Sequence, residues 1–206
     1  AAAYPAMPIK VKHNLCGHPL LTLEALAELA EALPEHEIEY NPGKLPIGIK
    51  PEDVPKSELS VTETIRTIGR AGSWVAPKEL LHSVLDELRP IVEPRTGAMM
   101  QLEGFVFISS PGAVTPFHFD PEHNILLQMT GCKTMSLFPV EDEVIFNAKV
   151  HEQFHLGQHH RNLPWEASHV YKATAELIDP GEAVHVPVKA PHWVLVGGMP
   201  SISLSI

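Results

Sequence analysis

Cysteine is scarce in this chain, which has only Cys16 and Cys132 among its 206 residues. The two lie far apart, and neither belongs to a C-x-x-C or metal-knuckle pattern, so the sequence predicts no cysteine metal site and no redox motif. Disulfides persist mainly in secreted proteins, and two isolated cysteines are therefore expected to be reduced thiols in a reducing compartment.

Long apolar runs and clusters of positive charge are also missing. No run approaches the roughly 18 to 20 residues that span a bilayer, and the first residues lack the basic and then apolar pattern of a secretory signal. Lys and Arg total 15 against 25 Asp and Glu, which gives a formal net charge of −10 without a basic cluster. These absences predict a cytoplasmic protein that uses neither a membrane nor a nucleic acid as its partner.

The rest of the composition is that of a folded globular protein. Hydrophobic residues make up 44% of the chain and charged residues 19%, and this length suffices to bury a substantial core. We predict an N-terminal helical and connective region over residues 1–98 that packs on a barrel. The barrel itself is expected to occupy residues 99–206.

The N-terminal region carries several helix signals. The segment "TLEALAELAEALP" (22–34) has leucines at helical spacing, with Thr22 as the N-cap and Pro34 as the stop. Ser60 and Glu63 fit a capping box. A further apolar stripe runs through "PKELLHSVLDELRP" (77–90), between two prolines. The sequence therefore predicts three helices before the barrel.

Near residue 100 the sequence pattern changes to short apolar runs separated by Gly and Pro turns, which is typical of strands. Eight strands are predicted: "LEGFVFISS", "TPFHFD", "NILLQMTG", "CKTMSLFP", "TAELIDPG", "AVHVPV", "HWVLVGG" and "SISLSI". So many short strands in about a hundred residues predict a mainly β fold, a double-stranded β-helix or jelly roll of the cupin kind, whose interior can hold a small ligand.

The segment "TPFHFDPEHN" places potential metal ligands at the end of the second predicted strand. Strand side chains alternate, so His118 and Asp120 share one face, whereas His123, beyond Pro121, does not follow that alternation. His192 begins the seventh predicted strand and is the candidate third ligand. Two histidines and one carboxylate form the facial triad of non-haem Fe(II) oxygenases, which leaves positions for a bidentate 2-oxo acid and dioxygen. A polar loop at His118 and a rim histidine at His192 remain the alternatives.

Lys133 gives a second indication. It shares strand parity with Met135 and Leu137, so if those two face the core, the lysine does as well. A lysine inside an apolar barrel needs an anionic partner, because an unpaired buried charge is costly. The distal carboxylate of 2-oxoglutarate is one such partner. The alternative is a solvent-facing lysine with Thr134 and Ser136 turned inward.

The segment "TPFHFDPEHNILLQMTGCKTMSLFP" closely resembles the JmjC and cupin-like protein hydroxylases of the Fe(II)/2-oxoglutarate family, particularly the asparaginyl-hydroxylase-like branch. The likeness covers residues 102–206. It implies that His118, Asp120 and His192 bind Fe(II). It also implies roles for three residues at fixed spacing from that motif in binding 2-oxoglutarate: Lys133 at the C5 carboxylate, Thr115 assisting it and Asn124 near the co-substrate.

The resemblance further implies the reaction. Members of the family hydroxylate a C–H bond with dioxygen and release succinate and CO2, so the expected substrate is a protein or peptide side chain, with a small molecule still open. The last strand departs from the family pattern, since Ser205 stands about where an Asn often falls. The family's C-terminal helices do not follow Ile206 here, which leaves the substrate class and a homodimer undecided.

A histidine-rich insert over about residues 141–170 contains "HEQFH", a match to the zincin metalloprotease motif. A zincin needs both histidines on a helix with a third ligand downstream, and no long amphipathic helix is evident around His151 and His155. We therefore predict a loop at the barrel mouth. A metal-binding cupin that does not use 2-oxoglutarate is the stronger rival, although it leaves Lys133 without a role. A non-catalytic sensor predicts a damaged triad, which this sequence does not have.

Overall fold

The structure, a computed structural model, describes residues 4–34, 44–55, 60–68, 73–75, 89–90, 93–94, 97–98, 104–140 and 142–206. Within these ranges it contains ten strands, three α-helices and three short 3-10 helices. Among the described helices, none has the length and apolar character needed to cross a membrane.

The elements follow one another in a mainly β order. The strands are β1 (Ile9–Lys12), β2 (Ser73–Val75), β3 (Phe105–Ser109), β4 (Val114–His118), β5 (Asn124–Thr130), β6 (Lys133–Leu137), β7 (Thr174–Ile178), β8 (Glu182–Val186), β9 (His192–Val196) and β10 (Ser201–Ser205). The α-helices are α1 (Leu23–Ala32), α2 (Val61–Arg66) and α3 (Ala148–His155), and the 3-10 helices are Pro19–Leu21, Pro51–Asp53 and Ala167–Lys172.

The strands form two antiparallel sheets. One sheet has the order β1-β8-β5-β10-β3-β2, and the other has the order β4-β9-β6-β7. Their inner faces meet in one apolar cluster, where Leu126 and Val184 of the first sheet pack with Met135 and Val194 of the second. The prediction of a mainly β, cupin-like jelly roll is confirmed. All eight predicted strands are present as β3 to β10, while β1 and β2 were not predicted.

The outer face of the larger sheet is covered by the N-terminal helices. Ile202 and Leu204 of β10 pack there against Leu26 of α1 and Ile65 of α2. The central strands β5 and β8 therefore pack apolar residues on both faces: Leu127 and Ala183 belong to the cluster with the helices, and Leu126 and Val184 belong to the cluster inside the barrel. This explains why the segment "NILLQMT" of β5 is a nearly continuous apolar run rather than a strict alternation.

The predicted helix signals agree with the described part of the N-terminal region. The hydroxyl of Thr22 accepts the Ala25 N–H at 3.2 Å, which caps α1. Ser60 and Glu63 form the capping box of α2. The predicted helix over 77–90 falls almost wholly outside the described residues, and the division of the chain at residue 98 stays a prediction.

The predicted loop over His151–His160 is wrong in its first half, because Ala148–His155 form α3. The side chain of Asn147 accepts the Val150 N–H at 3.0 Å and caps the helix. Two apolar residues of the helix, Val150 and Phe154, then pack against a cluster that contains Phe119 and Phe146. This packing stabilises a helix that is too short to show a clear apolar stripe in the sequence.

After α3, the insert runs beside the edge of β4. The N–H of Phe119 donates to the Arg161 carbonyl at 3.2 Å, and the Leu163 N–H donates to the Phe117 carbonyl at 2.8 Å. Asn162 thereby lies opposite His118 in an isolated antiparallel bridge. The insert is thus part of the wall around the candidate site.

Candidate metal centre

Three buried side chains meet at one end of the smaller sheet. His118 ends β4 and lies directly opposite His192, which begins β9. Asp120 follows two residues after His118 and shares its face. The Nε2 atom of each histidine lies 3.6 Å from a carboxylate oxygen of Asp120, and the three side chains are only 3 to 7% exposed. All three potential ligand atoms lie within 4.8 Å of one another.

The backbone fixes which nitrogen of each histidine faces the centre. The Nδ1–H of His118 donates to the Pro116 carbonyl at 2.7 Å, and the Nδ1–H of His192 donates to the Ala190 carbonyl at 2.9 Å. Because a carbonyl can only accept, Nδ1 carries the proton in both rings. The Nε2 lone pairs are therefore directed toward Asp120, as they are in metal sites oriented by outer hydrogen bonds.

The charges at the centre suit a cation. Burial and the neighbouring His192 lower the pKa of His118 to about 3, so this ring is neutral at physiological pH. Burial raises the pKa of the Asp120 carboxyl, but His118, His192, Arg161 and the Asn124 amide together outweigh burial and lower it. A buried carboxylate beside two imidazole nitrogens is a donor set that favours a divalent ion.

Asn124 holds the carboxylate from inside the barrel. Its Nδ2 donates to Asp120 Oδ2 at 3.1 Å, and its Oδ1 accepts the hydroxyl of Ser205 at 2.8 Å. The residue predicted to lie near the co-substrate therefore contacts the Asp120 carboxylate. Ser205, which departs from the family pattern, extends this chain of hydrogen bonds.

Arg161 reaches the same carboxylate from the insert and was not predicted. Its Nη1 lies 3.3 Å from Asp120 Oδ1, and its side chain is 38% exposed, so it stands at the mouth of the site. Only the pairing of the insert with β4 brings it there. A lone arginine in "GQHHRNLP" offers no spacing pattern that could have identified it.

Lys133 points into the barrel, as its strand parity predicted. It is 3% exposed, and its Nζ lies over the ring of Phe107, 5.3 Å from the centroid. Burial lowers its pKa from 10.5 to about 7. Among the described residues, no carboxylate forms an ion pair with this lysine.

The strand register places the lysine deeper in the barrel than the triad. His192 lies opposite Leu137, and Val196 lies opposite Lys133. Directly paired residues face the same side of a sheet. The pair His192–Leu137 and the pair Val196–Lys133 therefore form two rows of side chains that both point into the barrel. Thr115 is paired with Val194 in the row between them. The structure thus lines up His192, Thr115 and Lys133 along one inner face.

A polar row on β10 faces this line from the other sheet. The Ser203 hydroxyl donates to Gln128 Oε1 at 2.9 Å, and Gln128 Nε2 lies 2.8 Å from the Ser201 hydroxyl. Gln128, Ser201 and Ser203 are fully buried. In "SISLSI" the serines alternate with Ile202 and Leu204, and this alternation indicates a polar inner face on the last strand.

Apolar side chains line the inner face of the barrel around Lys133. Leu126, Met135 and Val194 belong to the inner core cluster, and Phe107 packs against it. Phe105 is 45% exposed and contributes little to an enclosed pocket. His123 lies outside the triad, since its Nδ1 is 3.2 Å from Nε2 of His185 on the outer side of the barrel.

The HEQFH segment has the helix that a zincin requires but not the ligand set. His151 and His155 lie on α3 with their Nε2 atoms 3.1 Å apart. In the described part of the chain, His118, Asp120 and His192 form the only close group of three or more potential ligands. The zincin interpretation is therefore not supported.

Comparison with known proteins gives a match in fold. No family model and no curated protein match the chain in sequence. The crystal structure of the ribosomal oxygenase YcfD from Escherichia coli matches with a TM-score of 0.56 and 15% identity, over 97% of this chain and 47% of that one. A structure of YcfD in complex with cobalt and succinic acid matches with a TM-score of 0.54 and 15% identity, over the same shares.

A further X-ray structure of E. coli YcfD has a TM-score of 0.57 and 16% identity over 96% of this chain and 48% of its own. The chain thus spans about half the length of these structures. The predicted resemblance to JmjC and cupin-like oxygenases is confirmed at the level of the fold.

Proposed function

We propose that the chain is an Fe(II)- and 2-oxoglutarate-dependent dioxygenase that hydroxylates a C–H bond, with a protein or peptide side chain as the substrate. The observation that carries this proposal is the placement of the triad and Lys133 on one inner face. A metal-binding cupin without a 2-oxo acid needs His118, Asp120 and His192, but it has no use for a buried lysine.

The distance between the triad and Lys133 along the inner face suits a dicarboxylate. His192 and Val196, which mark the rows of the triad and of Lys133, are four residues apart on β9, or roughly 13 Å at about 3.3 Å per residue. A five-carbon diacid and an extended lysine side chain together bridge this distance. Thr115, in the intermediate row, is within the reach expected of a group that assists the lysine.

The fold neighbours support the same assignment. One structure of YcfD contains cobalt and succinic acid, and succinate is the diacid that remains when 2-oxoglutarate loses CO2. YcfD is described as a ribosomal oxygenase, which favours a protein residue over a small metabolite as the substrate here. Fe(II) is the ion we propose for the triad, because two histidines and one carboxylate with open positions are typical of non-haem iron oxygenases.

The chain's own residues position the reactants and exclude water. His118, Asp120 and His192 would hold the ion, and the Asn124 amide keeps the carboxylate oriented. Lys133 and Thr115 would bind the C5 carboxylate, while Phe107 and Met135 keep the pocket dry. When bound, the iron uses dioxygen to place one oxygen atom in the substrate and one in succinate, with release of CO2.

The direct test is a spectrum of the protein with Fe(II) under anaerobic conditions. Adding 2-oxoglutarate is expected to produce a visible charge-transfer band, because the keto oxygen and C1 carboxylate chelate the ion. Succinate, which lacks the keto group, serves as the matched ligand and should give no band. A sample that binds Fe(II) but shows no band with 2-oxoglutarate contradicts the proposal and favours a cupin with other chemistry.

Arg161 should weaken metal binding, because it places a permanent cation beside the ligand carboxylate. We expect Arg161→Gln to tighten Co(II) binding at the triad by roughly two- to fivefold, the effect of losing an interaction worth up to about 1 kcal/mol at a partly exposed site. Competition titration measures this affinity. Lys172→Gln is the control, since Lys172 pairs with Asp142 instead. Weaker binding in Arg161→Gln would mean that the arginine mainly orients Asp120.

A further inference from the structure

Two histidines of the insert converge at a point that the proposed oxygenase reaction does not use. His151 and His155 are four residues apart on α3, so they lie on one face of the helix. Their Nε2 atoms are 3.1 Å apart. Their rings are nearly perpendicular, with an interplanar angle of 80° and centroids 4.5 Å apart.

This spacing matches two imidazoles on one metal ion. With metal–nitrogen bonds of about 2.0 to 2.1 Å, two nitrogens on one ion lie about 2.8 to 3.4 Å apart when the angle between the bonds is between square-planar and tetrahedral. We propose that His151 and His155 form a second metal site, a two-histidine clip for one divalent ion of the Cu(II), Ni(II) and Zn(II) class. The competing explanation is a hydrogen bond between the two rings.

The rings are held before any ion arrives. His151 packs against Phe119 and Phe146, with centroids 5.9 Å away in each case. His155 packs against Phe154 at 5.4 Å. Burial, Lys189 and His155 lower the pKa of His151, so the ring is neutral at physiological pH and its lone pair is free to bind a metal. Binding an ion therefore costs little side-chain conformational entropy.

The clip is separate from the triad. His118 and Asp120 point into the barrel, while Phe119 between them points outward and contacts His151. The two sites thus lie on opposite sides of the same stretch of chain and can be filled independently. The contact between Phe119 and His151 connects them, so an ion bound at the clip would help to hold α3 against β4.

The donors define the class of ion. Neutral imidazoles favour copper, nickel and zinc over the hard ions Mg(II) and Ca(II), and copper should bind most tightly. Among the described residues, no third protein ligand joins the pair within the close spacing of the triad. His155 is exposed, so water or a donor atom from a bound partner would complete the coordination.

The experiment counts metal ions and identifies their ligands. The wild-type chain is expected to bind two Zn(II) ions in equilibrium dialysis, and His155→Ala is expected to bind one while keeping its 2-oxoglutarate turnover. Asp120→Ala should also bind one, at the clip. Its Cu(II) complex should show an electron paramagnetic resonance signal with splitting from two imidazole nitrogens. His160→Ala, a histidine in the same insert, is the matched control and should keep both ions.

Three results would overturn the clip: an unchanged ion count in His155→Ala, an unchanged copper signal when both Asp120→Ala and His155→Ala are present, or equal loss in His160→Ala. His151→Ala in the wild-type background repeats the count if Asp120→Ala fails to fold. Failure of the triad proposal gives a different result. The wild type would then bind a single ion, which His155→Ala would lose and Asp120→Ala would keep.

Discussion

Asp120→Ala is expected to abolish 2-oxoglutarate turnover and to remove Fe(II) from the triad. Asp120 is the only acid among the three candidate ligands and would supply the negative charge that draws a divalent ion to the two imidazoles. It also accepts the Asn124 amide and faces Arg161, so its loss leaves both groups directed at an empty position. Groups that merely orient metal ligands contribute about 10- to 100-fold to metal affinity, and a ligand itself should contribute more.

The measurements are metal content after dialysis against Fe(II) and succinate release in the presence of 2-oxoglutarate. Asp120→Asn preserves the shape of the side chain and separates loss of the charge from loss of the fold. Asp179→Ala removes an exposed carboxylate far from the triad and should leave both readouts unchanged. Full turnover by Asp120→Ala after metal stripping and iron reconstitution would show that the assignment of the triad is wrong.

The inner face of the barrel could be predicted because strand geometry makes it periodic. The alternation of side chains put His118 beside Asp120 and turned Lys133 inward with Met135, and each of these placements is found in the structure. The prediction that His192 joins these two residues required an additional assumption about the order of the strands in the sheet. The antiparallel pairing of β4 with β9 satisfies that assumption by placing His192 directly opposite His118.

The surroundings of the triad could not be predicted, because they depend on contacts between distant parts of the chain. Arg161 reaches Asp120 only through the pairing of the insert with β4, and Ser205 reaches Asn124 only because β10 lies beside β5. The helix α3 was missed for a related reason. Its stability comes from packing on Phe119 and Phe146, which no local pattern in "NAKVHEQFH" reveals.

Lys133→Met should separate binding from stability more sharply than any other substitution in the barrel. Methionine is unbranched and only one atom shorter than lysine, and it carries no charge, so most of the pocket should stay filled. Affinity for 2-oxoglutarate is expected to fall by about 1.5 to 3 kcal/mol, the contribution of a hydrogen bond to a charged group, or roughly 10- to 150-fold. Titration of the charge-transfer band measures it. Lys172→Met, at the exposed pair with Asp142, is the control.

The same variant should unfold less readily than the wild type without ligand. Burial lowers the pKa of Lys133 from 10.5 to about 7, so between these values the unfolded chain binds a proton that the folded chain does not. The contribution of Lys133 to the free energy of unfolding therefore rises with pH across this window, by up to about 1.4 kcal/mol per pH unit, and its destabilising effect is largest below pH 7.

Denaturant titrations from pH 6 to 10 measure the free energy of unfolding of both proteins. Lys133→Met should exceed the wild type most at the acid end, and the difference should shrink as the pH rises. Saturating 2-oxoglutarate should narrow the difference at neutral pH by about 1.5 to 3 kcal/mol, because the wild type binds the ligand more tightly than the variant does. A variant that is less stable than the wild type at every pH would mean that the lysine has a protein partner. A lysine that destabilises the empty barrel and is satisfied only by the diacid is, by contrast, what a binding residue for 2-oxoglutarate requires.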